Sequence, residues 1–462
     1  LEVIKITQEQ AKALLNINED HFNDVKSKRI APAKLQETLV AFANSDGGDL
    51  YIGIEDKSET GERIIGFTEP EEANSIIATL LEGTVPAVEN LSWEYLQTDE
   101  KGLILHLSIP KSPKVHYTAA GDCYIRVNAQ KIKIKGEKVT QLGYSKGAEL
   151  YEKKPVEDID INETVDSKKL HDYMSLVNTS LEPIIFLKKQ RLLTKKGDEV
   201  FPNVGCILLF DDEPQATLQT RCAVKVYRLR TTEAEYKREQ LQEMPITMNG
   251  SVGEVISKTI KKVAEYIDGA SFMDGENLVK LSYPSEALKE ILVNAVIHRD
   301  YSLNDDIHVR IFDNRIEIQS PGRLPGYMTV ENIYKDRFSR NPNIVRMLHN
   351  LPNPVNHDIG EGLDTAKNEL KKAGLVEPSF QEIANAFLVT IKHQKMASVV
   401  DVIEKYFEEN PKGIINNKLV RQLSGEDDMQ KVKKALQRLK RAGKIKVADE
   451  NAKAFNVTYV KS

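Results

Sequence analysis

Tryptophan occurs once and cysteine three times in a chain of 462 residues. Cys123, Cys206 and Cys222 are scattered and form no CxxC pair, which argues against a disulfide framework and fits a reducing compartment. No apolar run approaches the roughly 18–20 residues that a membrane span needs. The opening residues, "LEVIKITQEQ", lack a basic stretch followed by an apolar one, so no signal peptide and a cytoplasmic location are expected. Neither sign of charge dominates: 64 Lys and Arg face 69 Asp and Glu, for a net charge of −5. Such a balance exerts no global pull on nucleic acid or membranes, so any basic surface must be local. A GxxxxGK[ST] phosphate loop, internal repeats and low-complexity tracts are all absent.

What is present reads as a multidomain α/β and α+β protein, too long for one ordinary core. In "PAKLQETLVAFANSDGGDLYIGIEDK", Leu35, Leu39 and Phe42 recur at helical spacing, Gly47 and Gly48 stop the helix, and "LYIGI" follows as a buried strand. "LILHLSIP" and "CYIRVN" are expected to be later strands of that first domain, residues 1–145. A linker and middle α+β region, 146–283, holds two expected strands, "VGCILLF" and "CAVKVYRL", and an amphipathic helix around "SVGEVISKTIKKVAEYI". A third domain, 284–392, opens with "YPSEALKEILVNAVIHRDY" and continues with a hairpin, "IHVRIFDNRIEIQ", turning at Asp313-Asn314. Residues 396–462 read as three helices followed by a two-stranded wing.

The helix of the third domain poses a question. Leu288, Ile291, Leu292 and Ala295 form one apolar stripe, yet Val293 and Ile297 lie on the other side with Glu290 and Asn294. A helix apolar on both sides is covered on both sides, and a buried carboxylate needs a partner. Glu290 and Asn294, one turn apart, therefore predict a semi-buried cavity. An amide oxygen is a hard ligand for Mg²⁺, and a carboxylate orients or deprotonates water. Downstream, "HDIGEGLDTAKNELKKAG" puts Gly360 and Gly362 just before a helix, where backbone N–H groups can reach phosphates. Together these features predict a nucleotide site.

The series "YPSEALKEILVNAVIHRDYS…IHVRIFDNRIEIQSPGRLP…FSRNPNIVRMLHNL…DIGEGL" closely resembles the divergent ATP-binding (GHKL) domain shared by gyrase, heat-shock chaperones, histidine kinases and MutL. The likeness is to the version in bacterial transcriptional regulators labelled RecG-like. It implies ATP and Mg²⁺ as cofactors, Glu290 as general base, Asn294 as Mg²⁺ ligand, and Gly360 and Gly362 in a phosphate lid. Arg340 and Asn341 would lie near that lid, and a homo-oligomer is implied. The superfamily's DxGxG box appears here as "SPGRLP": Ser320 and Gly322 stand there without the Asp that reads adenine. His298, Arg299 and Asp300 are expected to cap the helix.

"EDHFNDVKSKR" ahead of "AFANSDGGDLYIGIEDK", with "CYIRVN" later, resembles the AlbA-like domain of the Schlafen family over about residues 15–140. In Schlafen-type nucleases three acids carry metal-dependent RNA cleavage, and the matching positions are Glu19, Asp24 and Asp56, with Asp24 where the family usually has Glu. Lys26, Lys28, Arg29, Arg126, Lys131, Lys133 and Lys135 are candidate phosphate contacts.

"QKVKKALQRLKRAGKIK" has eight Lys and Arg and no acid. Val432, Leu436 and Leu439 keep one face apolar, which leaves Lys431, Lys433, Lys434, Arg438, Lys440 and Arg441 on the other. A basic third helix before a wing resembles a winged-helix DNA-binding domain. The sequence thus supports a nucleotide-gated DNA-binding regulator of transcription, with duplex DNA as partner and no membrane. Two other readings stand beside it: a metal-dependent RNA nuclease with an ATP-site switch, and a protein-interaction scaffold.

Overall fold

The computed structural model describes residues 3–57, 62–98, 102–268, 271–274, 277–280, 282–355, 362–393, 399–424, 428–448 and 457–462. The chain forms two compact units, Leu1–Glu369 with Pro378–Ile391, and Leu370–Glu377 with Lys392–Ser462. Both mix helices with sheets, as an α/β multidomain chain should. Among the described residues no helix is long and apolar enough to cross a membrane.

Within the larger unit, the first sheet contains β1 (Val3–Lys5), β2 (Asn23–Lys26), β3 (Gly48–Ile52), β4 (Ser92–Thr98) and β5 (Gly102–Ile109), in the order β1-β4-β5-β3-β2. The helix Pro32–Asn44 begins with proline at its first turn, where the missing N–H costs nothing. It buries Leu35, Leu39, Val40, Phe42 and Ala43 together with three other residues. Each large apolar side chain so buried contributes about 1.5–3 kcal/mol. Leu50, Ile52, Leu105 and Leu107 meet them from the sheet. Asn44, just before "SDGG", is spent structurally: its amide donates to His116 O (2.8 Å) and Tyr124 O (2.9 Å), and its oxygen accepts from His116 N.

The second sheet contains β6 (Val224–Arg228), β7 (Ile246–Met248), β8 (Ile307–Ile311), β9 (Arg315–Pro321), β10 (Ser379–Ile383) and β11 (Ala386–Lys392), in the order β7-β6-β8-β9-β11-β10. The predicted hairpin is β8–β9, antiparallel, with Val309 opposite Ile318. β6 runs parallel to β8, pairing Val224 with Ile307 and Val226 with Val309. The boundary expected at 283–284 therefore cuts through one continuous sheet. The amphipathic helix is Val252–Asp268, and Ser285–Ile297 packs beside it.

One expected strand is a helix. "VGCILLF" is the helix Val204–Phe210, with all seven residues buried. Asn203 caps it, its side-chain oxygen accepting from Cys206 N at 3.0 Å. A fully buried apolar run carries no period to separate strand from helix, so the cap and the tertiary setting decide.

In the smaller unit, Val399–Glu409, Asn417–Ser424 and Met429–Arg441 are helices, and β12 (Ile415–Asn416), β13 (Ile445–Val447) and β14 (Thr458–Lys461) form a sheet ordered β12-β14-β13. Ile403, Phe407, Val420, Val432, Leu436, Leu439 and Ile445 make its core. Asp428 caps the third helix by accepting from Gln430 N at 2.8 Å. The short strand between the first two helices was not anticipated.

Candidate nucleotide site

The helix Ser285–Ile297 is covered on several sides: Ala287, Leu288, Ile291, Leu292, Val293, Val296 and Ile297 are all buried, as is Glu290. Its C-terminal end is closed by side chains rather than by a glycine. Asn341 Nδ2 donates to Ile297 O (2.9 Å) and Arg299 O (2.8 Å), and Arg340 Nη1 donates to His298 O (3.3 Å). Arg340 also donates to Ser145 O (2.8 Å) and Arg323 O (2.7 Å). Arg340 and Asn341, expected near a phosphate lid, are thus buried, with these donors spent on backbone carbonyls.

In front of the helix lies a cavity of about 350 Å³. That volume is within the range of small-molecule sites. Glu290, Asn294 and His298 line it at successive helical turns, with Ser320 and Gly322 of the "SPGRLP" stretch, Arg323, Arg337 and Gly362. Ile291, Ile318, Met328, Ile333 and Val389 supply apolar wall. Gly360 lies outside the described residues. Gly362 starts the helix Gly362–Lys372 against the polar pair: a Cβ there would sit 2.5 Å from Glu290 Oε2 and 3.5 Å from Asn294 Nδ2. Gly322 has φ of +105°, and a Cβ on it would come within 2.4 Å of Arg340 Nη1 and 2.6 Å of Asp300 Cβ. Ser320 Oγ donates to Ala295 O at 2.7 Å.

The donor set suits a nucleoside polyphosphate. A carboxylate and a carboxamide face a helix N-terminus across a glycine, Arg323 and Arg337 line the same space, and much of the remaining wall is apolar. Among the described residues no three His, Cys, Asp or Glu side chains are placed to hold a metal ion. Asn294 and phosphate oxygens would suffice for Mg²⁺, which is commonly bound through few protein ligands. Arg323, Arg337, Tyr334 and Phe338 were missed by the sequence reading, although Arg323 stands inside the quoted "SPGRLP".

Burial and the nearby Arg340 charge push His298 down to about 4. An unfolded histidine titrates near 6.5. The neutral ring thus contributes stability fully present above about pH 6.5 and lost as pH falls through 4, roughly 3 kcal/mol at most. His298→Gln should flatten the pH dependence of the urea midpoint between pH 7 and 4.5. An unchanged slope would place the titration elsewhere.

Arg299 is fully buried and donates to the carbonyls of Arg221 (2.8 Å), Leu303 (2.9 Å) and Asp305. It ties the turn after the helix, a structural role, while the expected cap on the helix end comes from Asn341 and Arg340 instead.

The three N-terminal acids are not gathered into a metal-holding set. Glu19 and Asp24 meet around a lysine: Lys26 Nζ lies 2.8 Å from Glu19 Oε1 and also bonds Asp24. Arg126 Nη1 takes the other Asp24 oxygen at 3.0 Å. Burial raises both carboxyls. It prevails at Glu19, aided by Asp24, whereas bonds from Glu19, Lys26 and Arg126 outweigh it at Asp24 and hold that carboxyl low. Asp56 is exposed beyond β3. The positive charge between Glu19 and Asp24 comes from Lys26. Several expected phosphate contacts are likewise paired within the chain: Arg126 is buried, Lys131 meets Glu37 (3.2 Å) and Lys133 meets Asp122 (2.6 Å).

On the C-terminal helix, Lys431, Lys433, Lys434, Arg438, Lys440 and Arg441 are all exposed, while Val432, Leu436 and Leu439 are buried.

Comparison with known proteins gives two matches to family models. Residues 19–135 match the family described as "Schlafen, AlbA_2". Residues 304–391 match the family described as "Putative ATP-dependent DNA helicase recG C-terminal". No curated protein matches the chain. One similar solved structure is the crystal structure of the DIP2311 protein from Corynebacterium diphtheriae, 16% identical, covering 98% of this chain and 96% of that one, with a TM-score of 0.41. The chain thus carries a Schlafen/AlbA-like segment at residues 19–135 and a RecG C-terminal, ATPase-like segment at residues 304–391.

Proposed function

We propose that this is a nucleic-acid-associated, ATP-binding protein, and more narrowly a nucleotide-gated DNA-binding regulator. One observation carries the nucleotide reading: the helix beginning at Gly362 abuts Glu290, whose Oε2 would lie 2.5 Å from a Cβ at Gly362, within a cavity that Asn294, Arg323 and Arg337 also line. ATP would bind there with Mg²⁺ on Asn294, and Glu290 would orient water at the terminal phosphate. The ATPase-like family match supports the same reading. The test is the melting temperature of the full chain with Mg²⁺ and millimolar ATP. Occupancy at about 100 times the dissociation constant adds roughly 2.7 kcal/mol. No shift at any ATP concentration sinks the reading.

The nucleic-acid reading rests on the Schlafen/AlbA-like segment and on the basic helix. The smaller unit runs helix, strand, helix, helix, strand, strand, an order that suits a winged helix, and the exposed cations lie on its third helix. Phosphate contacts release counterions, so DNA affinity should fall steeply with salt. Lys433→Glu, Lys434→Glu and Arg438→Glu together should weaken duplex binding and lower the salt slope by up to about three. If the triple variant binds as tightly as the wild type, the helix docks protein or is merely solvated. The observed pairing of Glu19 and Asp24 with Lys26 favours binding over cleavage in the N-terminal segment.

A further inference from the structure

Arg323 lines the cavity, and its side chain, 40% exposed, bridges two carboxylates. Nη1 lies 2.9 Å from Asp46 Oδ2 and Nη2 lies 2.8 Å from Glu382 Oε2. Asp46 belongs to the "NSDGG" turn of the Schlafen/AlbA-like segment. Its carboxylate also meets His21 Nε2 at 2.6 Å and faces Lys111 Nζ at 3.6 Å. Lys111 in turn donates to Leu324 O (2.9 Å) and Met328 O (3.1 Å), both in the cavity wall. Buried Lys146 donates to Ala43 O at 2.9 Å, and its own carbonyl accepts from Gly326 N at 2.8 Å. The wall from Arg323 to Met328 is therefore fastened to the segment that holds Asp46.

The Asp46–Arg323 pair can be broken without leaving a buried charge bare. If the guanidinium leaves, Asp46 keeps His21 and Lys111. Glu382 keeps the N–H of Leu324, at 2.7 Å. The Arg323 backbone stays in place because Arg340 holds its carbonyl, so only the side chain needs to swing. Asp46 itself is nearly buried, and although burial raises its carboxyl, the His21 bond and the charges of Arg323 and Lys111 hold it far below the usual carboxylate range. A polyanion in the cavity competes with that carboxylate for the same five-donor group.

We propose that Arg323 is the nucleotide-sensing residue: an anionic nucleotide filling the cavity draws its guanidinium from Asp46, and loss of that pair is how occupancy is felt in the Schlafen/AlbA-like segment. The inference rests on the nucleotide reading above. Coupling of this kind is reciprocal, so weakening the pair must change nucleotide affinity.

The experiment measures the affinity of the full chain for Mg²⁺-ATP by calorimetry in wild type, Asp46→Asn, Arg323→Gln and the double variant. Asp46→Asn removes one of the two carboxylates that hold the guanidinium, leaving Glu382, and should tighten ATP by about five-fold or more. Arg323→Gln should weaken ATP, and adding Asp46→Asn to it should then change nothing. An Asp46→Asn affinity within two-fold of wild type overturns the inference while the nucleotide site stands, and so does an Asp46→Asn gain that persists without Arg323. If the wild type binds no ATP, the nucleotide reading itself falls. Should Asp46→Asn fail to fold, amide exchange of the wild type decides: ATP should alter protection at residues 42–49, and unaltered exchange there with ATP bound overturns the proposal.

Discussion

Asn294→Ala should erase the Mg²⁺-dependent part of the ATP-induced rise in melting temperature, with little change in the stability of the ligand-free chain. Asn294 is half-buried on the cavity wall, one turn beyond Glu290. Alanine keeps the helix, being the best helix former, and removes only the carboxamide. The expected loss in Mg²⁺-ATP affinity is about 100-fold, or about 2.7 kcal/mol, since a hard cation loses its protein ligand. Glu290→Ala should leave binding largely intact and remove any turnover. An Asn294→Ala protein that binds Mg²⁺-ATP as the wild type does would place the metal, or the nucleotide, elsewhere.

Arg299→Ala should destabilise the larger unit by about 3–5 kcal/mol. Its guanidinium is fully buried, donates to the carbonyls of Arg221, Leu303 and Asp305, and lies 4.8 Å from the Tyr301 ring. Truncation leaves those carbonyls without this donor and opens a void where the fully buried side chain sat. A urea titration followed by tryptophan fluorescence, with Trp93 as the sole reporter, reads the larger unit alone. A midpoint unchanged to within about 1 kcal/mol, given the usual slope, would remove Arg299 from the structural framework. It would then reopen a functional role for the "HRD" stretch.

The part of the site written into local sequence is the part that depends on helical period. Glu290 and Asn294 are four residues apart in an apolar run, so any helix there aligns them, and the surrounding burial demands a cavity. The glycine before the next helix and the basic face opposite Val432, Leu436 and Leu439 are legible for the same reason. These features follow from spacing within about twenty residues.

Features that depend on distant residues were not legible. Whether "VGCILLF" is strand or helix turned on a cap and on burial of every side chain. The extent of the second sheet turned on β6 pairing with β8 across some eighty residues of intervening chain. Arg340 and Asn341 resemble site residues in sequence, but their hydrogen bonds go to the carbonyls at the end of another helix. Asp24 has the right chemistry for a metal, yet Arg126, separated from it by 102 positions, takes one of its oxygens. The charge state and direction of a side chain are set by whichever partners the fold delivers, because desolvation makes an unmatched charge costly and the nearest counter-charge decisive. By itself the sequence determined which residues share a helical face. Only the tertiary structure decided which of those faces meet, that Gly362 closes on Glu290, and that Asp46 reaches Arg323.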